Sequence, residues 1–528
     1  MTPEPSPSAA TASEADRQGQ VLRYLDASRF GAANGGKRID THASVVFLGD
    51  NCALKIKRAV KLPFLDYSTL QKRRLACEEE LKVNAGNAPE LYRRVVAITR
   101  GDDGGFEIDG TGIPVEWAVE MARFDEEQTL DCIAAARPIE PPLAIALADT
   151  ILQSHGKAPR AGGETWPGSI PSVIDRNTAK FRNVRGLDAA AIDQLDARSH
   201  DHLALLEKSL ARRVGQGFVR RCHGDLHLAN IALVDGRPLL FDAIEFDPAI
   251  ATTDILYDLA FTLMDLVHFG NEAAASTLFN RYLAGASDEN LDGLGMLPLF
   301  LSVRAAIRAH VLFVKSEQAA NGEAAWREAK RYFDLAGRLV NPAPPLLVAI
   351  GGLSGTGKSV LARGLAGLMA PIPGAIIVRS DVVRKRLFDV SETTALPQAA
   401  YQDETTRLVY DALSKTARRV LSQGCSVVVD AALLQEAERG ELADLVCEQK
   451  VRFVGLFLTA DLATRLARIE QRKHDASDAT RDVALKQESY VIGAMNWHVI
   501  DASGTPDDTL RRSRGWLSDP DPATRDGR

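Results

Sequence analysis

Leu346-Leu347-Val348-Ala349-Ile350-Gly351-Gly352-Leu353-Ser354-Gly355-Thr356-Gly357-Lys358-Ser359 is the stretch that decides the fold of the C-terminal third. An apolar run of strand length ends in a glycine-rich turn matching G-x-x-x-x-G-K-[ST]. A helical pattern, Val360-Leu361-Ala362-Arg363-Gly364-Leu365-Ala366-Gly367-Leu368, comes directly after it. A phosphate cradle requires that strand–loop–helix order. Gly352, Gly355 and Gly357, with Ser354 and Thr356 between them, let backbone N–H groups curl around β- and γ-phosphates. Lys358 neutralises the phosphates, the helix dipole adds to it, and the Ser359 hydroxyl can ligate Mg²⁺. Outward from this stretch, apolar strands at 375–378, 426–429, 453–458 and 498–500 alternate with helical patterns. The alternation predicts a doubly wound parallel α/β sheet.

In such a sheet the crevice beyond the strands' carboxyl ends holds the ligands. Arg379-Ser380-Asp381-Val382-Val383-Arg384 comes after the second strand, so Asp381 faces the phosphates and can take a proton from an attacking hydroxyl. The competing reading is an Asp capping the next helix. Arg384 is placed to grip an anionic or polar acceptor. Val427-Val428-Val429-Asp430 ends a strand on a carboxylate suited to a water-mediated Mg²⁺ contact. Arg465, Arg468 and Arg472 lead into a polar loop at 475–480 and can close over a γ-phosphate as a lid, although each could equally mark a solvated helix face. On these features residues 346–515 resemble the P-loop kinase group that contains polynucleotide kinase, chloramphenicol phosphotransferase, zeta toxins and gluconate kinase. The carried motifs are the phosphate loop, Ser380-Asp381-x-x-Arg384, the Asp430 strand and Arg472-x-x-Asp475-x-Ser477-Asp478-Ala479. The resemblance implies phosphoryl transfer, with Asp381 as the base toward the acceptor and Arg472 in the lid.

Upstream, His223-Gly224-Asp225-Leu226-His227-Leu228-Ala229-Asn230 sets a carboxylate five residues before an amide, and a short apolar strand ends at Asp242 twelve residues later. Phosphoryl transfer in the protein-kinase manner needs such a set: one carboxylate to orient the hydroxyl, then Asn and Asp to hold Mg²⁺ on the phosphates. Ala53-Leu54-Lys55-Ile56 reads as the strand that delivers a phosphate-binding lysine, although Lys57 alternates onto the same face. Glu78, Glu79 and Glu80 on the next helix offer its carboxylate partner, with Glu80 favoured. This half resembles the aminoglycoside phosphotransferase/choline kinase-like superfamily over 20–335, and more closely the bacterial proteins that fuse such a domain to a P-loop kinase. The motifs are Thr41-His42-x-Ser44-x-Val46-Phe47-Leu48, Phe64-Leu65-Asp66-Tyr67-Ser68-Thr69-Leu70 and Phe241-Asp242-x-Ile244-Glu245-Phe246-Asp247. The resemblance implies a bilobal kinase-like α+β domain with Asp225 as base, Asn230 and Asp242 as metal ligands, His223 structural, and Asp254 and Asp258 bracing the loop. Two features depart from the pattern: no glycine-rich lid joins the first strands, where Gly49-Asp50-Asn51 is only a tight hairpin turn, and the strand-end motif reads FDAIEFD where IDW is commoner.

Asn341-Pro342-Ala343-Pro344-Pro345 marks a stiff linker, expected over 336–345. Residues 1–19 and 516–528 read as disordered tails. The 528 residues are 45% hydrophobic and 25% charged, which fits about three globular units and excludes fibrous or disordered chains. Sixty-three basic against seventy acidic residues, net −7, argue against a nucleic-acid surface. Six scattered cysteines without a CxxC pair fit a reducing cytoplasm. The N-terminus has no apolar signal region, and Arg304 and Arg308 interrupt the most apolar stretch, so no membrane partner is expected. The whole predicts a bifunctional kinase that uses ATP and Mg²⁺ on small-molecule hydroxyls. Two other readings stand beside it: one active kinase governed by a nucleotide-sensing pseudokinase module, and a nucleic-acid end kinase in the C-terminal half.

Overall fold

The computed structural model describes residues 13–28, 30–62, 65–161, 166–318, 322–472 and 476–518. Phe64, Asp475 and most of the two expected tails lie outside the described residues.

Along the chain, α1 (Glu14–Ala27) leads into β1 (Lys37–Asp40), β2 (Ser44–Leu48) and β3 (Cys52–Lys57). The hairpin of β4 (Lys61–Leu62) and β5 (Leu65–Asp66) precedes α2 (Leu70–Asn84), and β6 (Tyr92–Arg100), β7 (Phe106–Ile108) and β8 (Ile113–Ala122) come after it. Helices α3 (Leu130–Ala136), α4 (Pro141–Lys157), α5 (Trp166–Phe181) and α6 (Ala189–Gly215) come next. Then there is a block of short elements: β9 (Val219–Arg221), β10 (Ile231–Val234), β11 (Arg237–Leu240), α7 (Pro248–Ala251) and β12 (Thr252–Asp254). Beyond it run α8 (Ile255–His268), α9 (Glu272–Gly285), α10 (Leu297–Gln318) and α11 (Gly322–Leu339).

The C-terminal part begins with β13 (Leu346–Gly352), α12 (Lys358–Ala366), β14 (Ile376–Arg379), α13 (Ser380–Leu387), α14 (Asp403–Ser422) and β15 (Val427–Asp430). It ends with α15 (Glu436–Gln449), β16 (Arg452–Thr459), α16 (Leu462–Glu470), α17 (Arg481–Gln487), β17 (His498–Asp501) and α18 (Pro506–Ser518).

These elements form two compact units. The first holds an antiparallel sheet in the order β1-β2-β3-β8-β6-β7. Alternation along β2 and β3 buries Val45, Phe47, Leu54 and Ile56 on one side, where Val21 and Leu25 of α1 complete the core. Helix α1 begins inside the expected tail. Ser13 accepts the Asp16 N–H at 3.1 Å while Asp16 accepts the Ser13 N–H at 3.2 Å, a reciprocal cap. Gln18 then donates to the Lys57 carbonyl and to Glu116, both at 2.8 Å. Residues 14–19 are therefore ordered, because a cap starts the helix and a buried amide anchors it. At the other end α18 runs to Ser518, three residues into the second expected tail.

Beneath the sheet Arg73, 1% exposed, sets its Nε 2.9 Å from the fully buried Glu116. Removing one partner strands the other charge, so Arg73→Ala is expected to cost about 3–5 kcal/mol in urea unfolding. The double variant Arg73→Met/Glu116→Leu should recover most of that loss; if it is no more stable than the single variant, the loss comes from packing and not from the stranded charge.

The second unit contains the parallel sheet, ordered β14-β15-β13-β16-β17, over a core that includes Val348, Ile350, Leu361, Val428, Leu456 and Leu458. It also contains α9, α10 and α11, so the division into units does not coincide with the proline-rich segment. Helix α11 continues through the first four residues of the expected 336–345 linker, since Ala336 and Leu339 are buried and the first helix-stopping proline is Pro342. One stretch, Asp288–Glu317, is long and apolar enough to cross a bilayer by length and composition; 61% of its most apolar window is buried within the fold.

Candidate functional site

The first site is built where β3 faces α2. Arg73, Cys77, Glu80 and Asn84 recur at helical spacing and form the buried face of α2. That spacing separates the three glutamates: Glu78 turns out to Arg74 at 2.8 Å and Glu79 to Lys82 at 3.1 Å, while Glu80 is fully buried. Its two oxygens bridge the two lysines of β3, Lys55 at 2.7 Å and Lys57 at 2.6 Å. The lysines then diverge. Lys55 pairs with Asp242, whereas Lys57 is buried against Glu245, which also accepts from Tyr67 at 3.0 Å. Burial works to raise the Glu80 pKa, but Lys55 and Lys57 outweigh it and leave the carboxyl below its usual range. Burial likewise opposes ionisation of Asp242, and Lys55 reverses that effect.

Asp242 adopts a left-handed backbone, φ +62°, and its N–H is held by the Tyr92 hydroxyl at 3.1 Å. Asn84 accepts the next N–H, from Ala243, at 2.8 Å and donates to the Glu80 carbonyl at 3.0 Å, tying α2 to the strand end. In the preceding loop, Asn230 donates to the Asp225 carbonyl at 2.9 Å and to its carboxylate at 3.3 Å. His223 meets the Phe241 carbonyl at 2.9 Å. Asp258 braces the loop by accepting the Gly224 N–H at 2.9 Å and the His223 N–H at 3.3 Å, and Asp254 accepts the Leu256 N–H at the head of α8. Asp225 lies close enough to Asp242 to push its pKa upward. Sequence reasoning did not single out Tyr92, Asn84 or a role for Glu245; only Asn84 carried a signal, one helical turn after Glu80. The turn between β1 and β2 has no glycine. Thr41 closes it, accepting the Ser44 N–H at 2.9 Å.

The second site surrounds the phosphate loop between β13 and α12. Side chains at Gly352 and Gly355 would collide with the backbone of Leu458 and Arg465, at 2.5 and 2.6 Å, and both residues have positive φ. Lys358 folds over the loop, donating to the carbonyls of Gly352 at 2.8 Å and Leu353 at 3.1 Å, and burial lowers its pKa. Ser359 donates to Asp430 at 2.6 Å, and Arg379 reaches both, at 3.0 and 3.2 Å. Asp381 sits within the first turn of α13, whose N-cap is Arg379, so it is not the cap. Burial first, and then the nearby Asp430, raise its pKa, while a Ser477 hydrogen bond opposes them.

Arg384 is buried; it donates to the Ala400 carbonyl at 2.6 Å and lies 4.8 Å over the Tyr401 ring. The three arginines of α16 and its end part company. Arg465, 1% exposed, lies behind the loop and donates to the Ser354 carbonyl at 2.8 Å, so it supports the cradle and does not belong to a lid. Arg468 donates to the Gly504 carbonyl at 2.7 Å. Arg472 lines the cleft, and its Nη1 is buried without a hydrogen-bond partner among the described residues. The cleft has a volume of about 1320 Å³ and is lined by Lys358, Ser359, Asp381, Arg384, Asp430 and Arg472 among others.

The fold and these two sites define a kinase-like phosphotransferase domain with a P-loop kinase domain after it. Residues 110–294 match the Phosphotransferase enzyme family, and residues 347–491 match an AAA domain family. Over 477 residues the chain is 28% identical to the uncharacterized protein Rv2004c of Mycobacterium tuberculosis, covering 88% of this chain and 92% of that one. Among solved structures, a choline/ethanolamine kinase family protein from Mesorhizobium loti is similar over 61% of this chain and 99% of its own, at 15% identity and TM-score 0.36. A gluconokinase from Sinorhizobium meliloti is similar over 33% of this chain and 92% of its own, at 18% identity and TM-score 0.25.

Proposed function

We propose that this chain is an ATP- and Mg²⁺-dependent phosphotransferase with two kinase modules, each moving a γ-phosphate to a hydroxyl of a small cytoplasmic molecule. One arrangement, present twice, carries the reading: a carboxylate at or just past a strand end, bonded to a side chain of the phosphate site, with a second carboxylate on the segment beside it, reached through Asn230 in the first site and across one cleft in the second. The first pair is Asp242, tied to Lys55, with Asp225; the second is Asp430, tied to Ser359, with Asp381. These hard oxygen donors suit Mg²⁺. Asn230 with Asp242, and Ser359 with Asp430, would hold the ion, which when bound neutralises charge on the phosphates. Lys55, held by Glu80, and Lys358, with the N–H groups of Gly352–Ser359, would bind the phosphates. Asp225 and Asp381 would orient the acceptor hydroxyl and receive its proton, and Arg472 and Arg384 would meet the transferred group and the acceptor. Positioning and charge neutralisation then supply the catalysis.

A second reading, in which the first module senses nucleotide and regulates the other, is favoured by the glycine-free, self-bonded Thr41–Ser44 turn. Transfer of label from γ-labelled ATP into a metabolite extract by the full chain separates the two. Two kinase modules give two sets of labelled products, each lost on inactivating its own site. A single set, abolished by changes in the C-terminal site alone, overturns the two-kinase reading and leaves the sensor, which then requires that Lys55→Ala change the rate of that set.

The raised Asp381 pKa predicts a pH limb. A base must be ionised, so C-terminal transfer should fall as pH drops through a value above the ordinary carboxylate range. Asp381→Asn should remove that limb and about 10²–10⁴ of the rate, with binding of a fluorescent ATP analogue unchanged. Equal loss of binding and transfer would reduce Asp381 to a structural residue.

A further inference from the structure

Strand β14 is an edge of the parallel sheet, and its only strand neighbour among the described residues is β15. An edge presents unpaired N–H and C=O groups on its open side, which must find partners when covered. Here the partner is a side chain. Asn280 of α9 donates through Nδ2 to the Ala375 carbonyl at 3.0 Å and accepts the Ile377 N–H through Oδ1 at 2.8 Å. The carboxamide thus takes the place of one peptide unit of a missing strand. Ser276, Asn280 and Ala284 recur every four residues on α9 and meet, in turn, the segment before β14, the strand itself and, through the Ala284 carbonyl, Arg386 of α13. Ser276 lies against Gly374, where an added Cβ would come within 3.0 Å of its hydroxyl. Ala273, a turn earlier, packs closely on Gly367, where an added Cβ would come 3.1 Å from its Cα.

Strand β14 leads straight into the functional segment. Arg379 ends the strand, and Asp381 and Arg384 stand on α13 directly after it. The same face of the helical part holds α13 from its far end: Arg386 donates to the Ala284 carbonyl at 3.1 Å and to Asp288 at 3.2 Å. Asp292 receives a two-point ion pair from Arg419 of α14, at 2.6 and 2.8 Å. The segment carrying Asp381 is therefore pinned before and after by residues 280–288. Those residues lie inside the stretch matched to the phosphotransferase family, 110–294, and outside the P-loop match at 347–491.

We propose that Asn280 is a positioning residue for phosphoryl transfer at the C-terminal site, acting through the β14 edge to hold Asp381 on the phosphate cleft. This rests on the kinase reading of that site. It also makes α9, in sequence part of the first module, a working part of the second. A displacement of about 1 Å in a catalytic group can cost about a hundredfold in rate, so an edge strand free to shift is enough to matter.

The test uses the full chain with Asp225→Asn as background, so that only Lys358-dependent transfer from γ-labelled ATP into a metabolite extract is read. Asn280→Ala should lower that transfer about tenfold or more at saturating ATP. Binding of a fluorescent ATP analogue should stay within about twofold, because the phosphate loop is untouched. Amide exchange across 375–387 should quicken about tenfold. Asn280→Asp keeps an acceptor for Ile377 but sets a carboxylate oxygen against the Ala375 carbonyl, and should lower transfer at least as far as Asn280→Ala. Arg386→Ala, at a half-exposed site, releases α13 by another route and should shift transfer in the same direction. If Asn280→Ala does not fold, the Asp and Arg386 variants decide the matter. Wild-type transfer in those variants, or faster exchange with transfer unchanged, overturns the positioning role. A wild-type chain with no Lys358-dependent transfer overturns the kinase reading itself, and the positioning role with it.

Discussion

Asp225→Asn should lower phosphate transfer at the N-terminal site by about 10²–10⁴ while leaving Lys358-dependent products in place. The change is nearly isosteric, and the loop around it is held by groups that do not need the charge. Asp258 receives the Gly224 and His223 N–H groups, and Asn230 bonds the Asp225 carbonyl as well as its carboxylate. Fold and nucleotide affinity should therefore survive, and the loss should appear in kcat with little change in KM for ATP. An amide cannot receive the acceptor's proton, and it removes one of two neighbouring negative charges. If Asp225→Asn transfers label as wild type does, Asp225 is not the group that handles the hydroxyl, and the sensor reading of the first module gains.

Lys358→Ala should abolish the C-terminal products, by about 10³ or more, and leave the N-terminal products unchanged. The Lys358 ammonium lies folded on the carbonyls of Gly352 and Leu353, in a buried setting that lowers its pKa and is offset by Asp430 and Asp381. Its contacts are to the loop's own backbone, and an incoming phosphate offers it a stronger, fully charged partner. Removing it leaves two carboxylates facing the phosphates with less compensation, so binding of a fluorescent ATP analogue should weaken as well. Retained transfer together with retained binding would show that the loop holds no nucleotide.

Much of this was legible in the sequence because it depends on short-range order. Five apolar runs with helical patterns between them specify β13 to β17, and the residues of a phosphate loop are consecutive. The Asp225, Asn230 and Asp242 spacing is similarly local, held by one loop and one hairpin. Strands β1, β6 and β7 left a weaker mark, since they are half-buried and carry charged residues on their open faces, as in Arg93, Arg94 and Glu107.

What the sequence determined alone is therefore the order of elements and the chemistry each could offer. Two lysines alternating on one strand look equivalent, and so do three successive glutamates; the fold separates them by setting Asp242 beside Lys55 and burying only Glu80. Arginines spaced along one helix look alike until packing sends Arg465 beneath the loop and leaves Arg472 on the cleft. Tertiary structure alone decided that a helix some ninety residues upstream closes the open edge of the parallel sheet. That decision belongs to unsatisfied backbone groups, which take a partner from whatever packs against them, and no local pattern announces which segment that will be.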